Sequence, residues 1–144
     1  MKMRSLVLAS VLSLMSAAAA EAQVDPHAAP VDSLALARQY TAWLYTGGAD
    51  SLFAHTAPAS RESMSRDRYA EATATILRRA GFEVSAEETW KLRNGACQYW
   101  RTATMSSMEG GLLVRWVLDA QGRITGLGLG PATHPPAVDA ERCE

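Results

Sequence analysis

The feature that most constrains this 144-residue chain is a change of hydrophobic period at Gly81. Before it, apolar residues recur at spacings of three and four. After it they alternate, and three turn signals, Asn94-Gly95, Glu109-Gly110-Gly111 and Gln121-Gly122, divide the remainder into four short runs. The first spacing lays one face of a helix on a core and the second lays one face of a strand there. Asn-Gly is the strongest short-range hairpin signal, because both central residues of a type I′ turn need positive φ. The pattern predicts an α+β fold in which three N-terminal helices pack on a four-stranded antiparallel meander.

Asp32 is positioned as the N-cap of a first helix that runs to about Thr46 and stops at Gly47-Gly48, with Leu36, Tyr40, Trp43 and Leu44 as its buried stripe. Asp50 opens a short second helix, SLFAH, which ends before Pro58. Ser65 caps a third through Arg79, with Tyr69, Ala72, Ile76, Leu77 and Ala80 on one face and Gly81 at its exit. In the first strand Val84, Trp90 and Leu92 share a parity. In the second, CQYWRTATM, we take Cys97, Tyr99, Arg101, Ala103 and Met105 as the inner face. Trp100 then lies outside with Gln98, Thr102 and Thr104, and an exposed tryptophan there would mark a dimer or partner surface.

The strands LLVRWVLD and RITGLGLG complete the meander. Gly126, Gly128 and Gly130 in the last do not form a phosphate loop. Such a loop needs a helix N-terminus behind it, and here Pro131 and a proline-rich tail follow. Close backbone approach or a bulge near Gly126 explains them better.

The ends of the chain read differently. Lys2 and Arg4 precede an apolar run from Leu6 to Ala20 and the triplet Ala20-Glu21-Ala22, the layout of a secretory signal peptide. That run is shorter than the roughly 20 residues of a bilayer-spanning helix, so a retained anchor is the lesser reading. Cleavage after Ala22 would leave 122 residues with 12 basic and 14 acidic side chains. Residues 23–31 read as a flexible leader, 32–131 as the domain and 132–144 as a proline-rich tail, loose unless Cys143 is bonded. The expected product is exported, periplasmic or secreted, with no membrane attachment once the signal is removed. It lacks the clustered basic face of a nucleic-acid binder.

In an oxidising compartment the two cysteines, Cys97 and Cys143, tend to pair. The alternative is two unrelated thiols. Without nearby histidines they make no metal site, and no cofactor is expected.

The closing D-x-x-G-R-I-T-G-L, with Asp119, Gly122, Ile124, Gly126 and Leu127, together with Ala37, Leu44 and Gly48 of the first helix and its turn and Gly81-Phe82 after the third, resembles the nuclear transport factor 2-like superfamily. Within it, the chain is most similar to a branch of small exported bacterial domains of unknown function. The resemblance covers about residues 32 to 131 and implies a cone, in which a curved sheet and the helices enclose a pocket. Isomerase, dehydratase and polyketide-cyclase relatives hold a small apolar molecule there, with a buried carboxylate or histidine as base and a donor for the developing oxyanion.

On that expectation the pocket candidates are Tyr40, Trp43, His55, Tyr99, Arg101 and Trp116. Each has a plainer reading. Arg101 can lay its stem on the core with its head in water, Tyr99 can be an amphipathic packer, and His55 can cap a helix end. The four tryptophans can form an aromatic cage or simply fill a core. Asp119 belongs to turn chemistry. There is no G-x-S-x-G, H-E-x-x-H or S-x-x-K motif and no Cys-His pair with an orienting acid. The expected function is a non-enzymatic exported domain that binds a small apolar ligand, or a protein partner or second copy through its sheet face. The alternative is an isomerase, dehydratase or cyclase using a pocket His or carboxylate.

Overall fold

The computed structural model describes residues 31–143, so the signal-peptide expectation and the 23–30 part of the leader lie outside the described residues. Helices α1 (Ser33–Thr46), α2 (Ala49–Ala54) and α3 (Arg66–Arg79) come first, with a 3₁₀ turn at Pro58–Ser60. Strands β1 (Glu83–Arg93), β2 (Ala96–Met105), β3 (Leu112–Leu118) and β4 (Ile124–Pro131) follow. They form one sheet in the order β1-β2-β3-β4, each antiparallel to the next.

The caps act as the sequence predicts. Asp32 Oδ1 accepts the Ala35 N–H at 2.9 Å, and Ser65 Oγ accepts that of Arg68 at 3.3 Å. Gly47, at φ +84°, turns the chain out of α1 in the left-handed region. At Gly48 a Cβ would stand 2.7 Å from that of Trp43, so α2 can follow this closely only behind a glycine. α2 starts one residue before the expected Asp50, whose carboxylate instead pairs with Arg66 at the head of α3.

Two buried stripes differ from expectation. In α1 the buried residues are Ala37, Tyr40, Thr41 and Leu44, with Leu36 and Trp43 half-buried at the flanks. In α3 they are Tyr69, Thr73 and Ile76, while Leu77 is 54% exposed. Both stripes are centred on a threonine whose hydroxyl bonds the carbonyl four residues back, Thr41 to Ala37 and Thr73 to Tyr69, each at 2.8 Å. A hydroxyl so satisfied can enter a core at little cost.

The sheet turns Tyr99, Ala103, Met105, Leu112, Val114 and Trp116 toward the helices. Asn94 and Gly95 take φ 52° and 72° in the β1–β2 turn, as the hairpin signal requires. Ala86, Glu88, Trp90 and Leu92 keep one parity in β1, but a bulge between Glu83 and Ser85 expels Val84, expected on that face, to 62% exposure. The same bulge brings Glu83 opposite Met105. The β4 edge is closed at its start by the residues after α2: Ile124 N–H donates to His55 O at 2.9 Å and Ala57 N–H to Ile124 O at 2.8 Å.

The outer face answers the question of the β4 glycines. Arg115 lies over Gly128, where a Cβ would meet the guanidinium at 2.2 Å, and its Cζ is 5.5 Å from the Trp100 ring centre, with Lys91 Nζ 5.0 Å from the same centre. At Gly126 a Cβ would stand 3.0 Å from Val117 Cγ2, tighter than an ordinary van der Waals contact. Close approach is therefore what these two glycines permit.

The tail is held at several points. From Pro131, opposite Leu112, the chain reaches the far edge of the sheet. There Arg93 Nε donates to Ala137 O at 3.1 Å and Asp139 N–H to Leu92 O at 2.8 Å, and Leu92 N–H donates to Ala140 O at 3.1 Å. Lys91 pairs with Glu141 at 2.8 Å, and Cys97 and Cys143 form a disulfide with Cα atoms 5.8 Å apart. Residues 132–143 thus make a strap from the β4 edge to the β1 edge.

Candidate functional site

The six residues expected to line a pocket fall into two groups, each held together by its own ring contacts or hydrogen bonds. Tyr40, Trp43, His55 and Trp116 pack ring against ring, with centroids 4.9 Å apart for Trp43 and His55 and 5.8 Å for Tyr40 with each of Trp43, His55 and Trp116. Their polar atoms are committed. Tyr40 donates to Gly122 O at 2.7 Å and Trp116 Nε1 to Thr41 Oγ1 at 3.0 Å, while His55 Nδ1 lies 2.8 Å from Ser51 O on the exposed C-cap of α2. His55 is the helix-capping residue of its plainer reading, not a buried base.

Tyr99 and Arg101 belong to the second group, at the junction of α1 with β1 and β2. Arg101 grips two carboxylates, Glu83 through Nε at 2.8 Å and a second guanidinium nitrogen, and Glu88 through Nη1 at 2.7 Å. From α1, Arg38 Nη2 reaches Glu88 at 2.7 Å and Tyr45 donates to Glu83 at 3.0 Å; Tyr99 donates to Glu88 as well. All except Arg38 are half-buried or buried. Two carboxylates and two guanidiniums balance, and every member has a partner.

The electrostatics follow from that satisfaction. The hydrogen bond from Arg38 holds the Glu88 carboxyl at about 2, although burial pulls the other way, and Tyr99 and Arg101 lower it further. Hydrogen bonding to Arg101 lowers Glu83 in the same way. Burial, then the bond to Glu88, pushes the Tyr99 phenol up to about 12, and burial beside Glu83 raises Tyr45. A general base works best with a pKa near the operating pH. Glu88 is far below it and already accepts three donors, so the cluster clamps α1 to the sheet.

Glu83 and Glu88 were not among the sequence candidates. Glu88 carried a usable signal, since it shares the parity of Trp90 and Leu92 in β1. Glu83 carried none, because its face is set by the bulge. With Tyr69 donating to Thr56, whose own hydrogen goes to Leu52 O, all four tyrosine hydroxyls of the chain are engaged.

The outer face also departs from expectation. Trp100, expected there as an exposed partner-binding residue, is only 2% exposed, since the cationic stems of Lys91 and Arg115 flank it. Among the described residues no three His, Cys, Asp or Glu side chains gather as a metal set, and no helix is long and apolar enough to cross a membrane.

Space for a ligand lies elsewhere. An open groove of about 540 Å³ runs between α3 and the sheet. Ala72, Ile76 and Ala80 form one wall, Leu112, Leu129 and Pro131 the other, and Met108 closes one end. Leu129 keeps 37% of its surface exposed there. Arg68, Glu71, Thr75 and Arg79 stand along the helix side. A smaller recess of about 160 Å³, lined by Met64, Tyr69 and Leu127, adjoins it at Arg68. No sequence candidate lies in the groove.

No family model, curated protein or solved structure matches this chain in the comparisons made.

Proposed function

We propose that this chain is an exported domain of the cone-like, nuclear transport factor 2-like kind that binds a small apolar ligand in the groove between α3 and the β3–β4 end of the sheet, without acid–base chemistry of its own. The groove carries the reading: its volume falls in the range of ordinary ligand sites, and its walls are apolar with a few polar groups on one side. The order of three helices and an antiparallel four-stranded sheet supports the fold assignment. The leader residues Lys2 to Ala22 and the Cys97–Cys143 pairing support export.

The isomerase, dehydratase or cyclase alternative requires an acid or base with free capacity beside the ligand. The two carboxylates turned toward the helices are ion-paired, and the groove's own acid, Glu71, is exposed. Thermal unfolding in the presence of neutral apolar probes tests the binding reading. A saturable rise in Tm is expected for the native chain and its loss in Leu129→Glu, which puts a charge on a half-open apolar wall. Equal shifts in both proteins would rule the groove out.

A further inference from the structure

Resting on that assignment of the groove, we infer that its ligand is a free monocarboxylate with an extended apolar body, its head group held by Arg79 and its body laid along Ile76 and Leu129. The groove is long and one-sided in its polarity. Arg68, Ala72, Ile76, Arg79 and Ala80 share one face of α3, and eleven residues separate the two arginines, about 16 Å along the axis at 1.5 Å per residue. Their surroundings differ. Arg68 donates to Ser63 O at 2.7 Å and has Glu71 one turn away. Arg79 is exposed and, among the described residues, makes no hydrogen bond or ion pair, and Arg78 stands beside it.

The Arg79 end therefore has cationic excess with spare donors, and the Arg68 end is locally neutralised. Between them the walls are methyl and methylene groups of Ala72, Ile76, Leu112 and Leu129. An apolar body satisfies these walls by removing them from water, and a carboxylate is the head group whose two oxygens match the fork of a guanidinium. The partial negative charge of the α3 C-terminus opposes an anion there. Two full positive charges, Arg78 and Arg79, outweigh that half charge.

The test uses the full chain with its disulfide intact and three probes of one length: decanoate, decan-1-ol and decylammonium. Binding is followed through the methyl resonances of Ile76 and Leu129. Decanoate is expected to saturate these shifts at a concentration about tenfold below the other two, a preference that shrinks as salt is added. Arg79→Ala should bring decanoate to the level of decanol, whereas Arg68→Ala should change it by less than about threefold. If the three probes bind alike, the apolar-groove reading stands and the carboxylate inference fails. If no probe moves those methyls, both fail. Shifts seen with anionic vesicles but not with free decanoate overturn the inference in favour of a lipid surface.

Discussion

Reducing the Cys97–Cys143 bond should cost more stability than cutting any other fastening of the strap, and the size of the loss can be worked from the chain. The bridge spans 46 residues, and closing a loop of that size removes about 4 kcal/mol of chain entropy from the unfolded state. The other fastenings are weaker. The Lys91–Glu141 pair, whose glutamate side chain is 76% exposed, is worth at most about 1 kcal/mol, and each backbone bond between Leu92 and the tail about 1 kcal/mol. For a domain of this length, 4 kcal/mol corresponds to a fall in Tm of about 15 °C. Thermal unfolding followed by circular dichroism, with and without reductant and on Cys97→Ser/Cys143→Ser, reads it directly. The double variant should melt where the reduced protein does, and Lys91→Ala within about 4 °C of the parent. Oxidised and reduced proteins melting within about 3 °C of each other would refute the loop-closure reasoning.

Three further outcomes follow from the buried contacts. The carboxyls of Glu83 and Glu88 are depressed in the folded state, so their contribution to stability is complete above about pH 4.5 and declines as the pH falls toward 2. Each contributes a slope of up to about 1.4 kcal/mol per pH unit. Acid titration of the urea midpoint should show this slope, reduced in Glu88→Gln; an unchanged slope in the variant would contradict it. Thr41→Val orphans the buried Trp116 N–H and should cost about 1–3 kcal/mol in urea unfolding, and a loss below 0.5 kcal/mol would show that the indole is satisfied in another way. Gly128→Val places side-chain atoms where the Arg115 guanidinium now lies, which should uncover Trp100 and shift its fluorescence to the red, while unaltered emission would contradict the packing described.

What the sequence disclosed was local. Asp32 and Ser65 as caps, Gly47 as a left-handed exit, Asn94-Gly95 as a hairpin turn and the inward parity of Tyr99, Arg101 and Ala103 all depend on neighbours a few residues away, and all appear in the fold. The readings that missed needed distant partners. Thr41 and Thr73 enter the core with hydroxyls satisfied by a carbonyl one turn back, whereas Leu77, on the predicted face, is exposed. The bulge at Val84 reversed the parity of Glu83 with no glycine or proline to announce it. The burial of Trp100 depends on cations from two neighbouring strands, which its neighbours in the chain do not reveal. The groove was the least legible feature, since its walls come from α3, the β2–β3 connection, β3 and β4, and no single window contains them. Tyr40, Trp43, Trp116 and Tyr99 were legible as apolar, inward-facing residues, and their rings pack against neighbouring rings.

Whether the ligand sits in the α3 groove rather than among the interior rings is tested most directly by a crystal structure of the chain soaked with a bromine-tipped alkanoate. The anomalous bromine signal is predicted beside Leu129 and Ile76, with the carboxylate at Arg79. A signal among Tyr40, Trp116 and Tyr99, with those rings parted to admit it, would contradict the account.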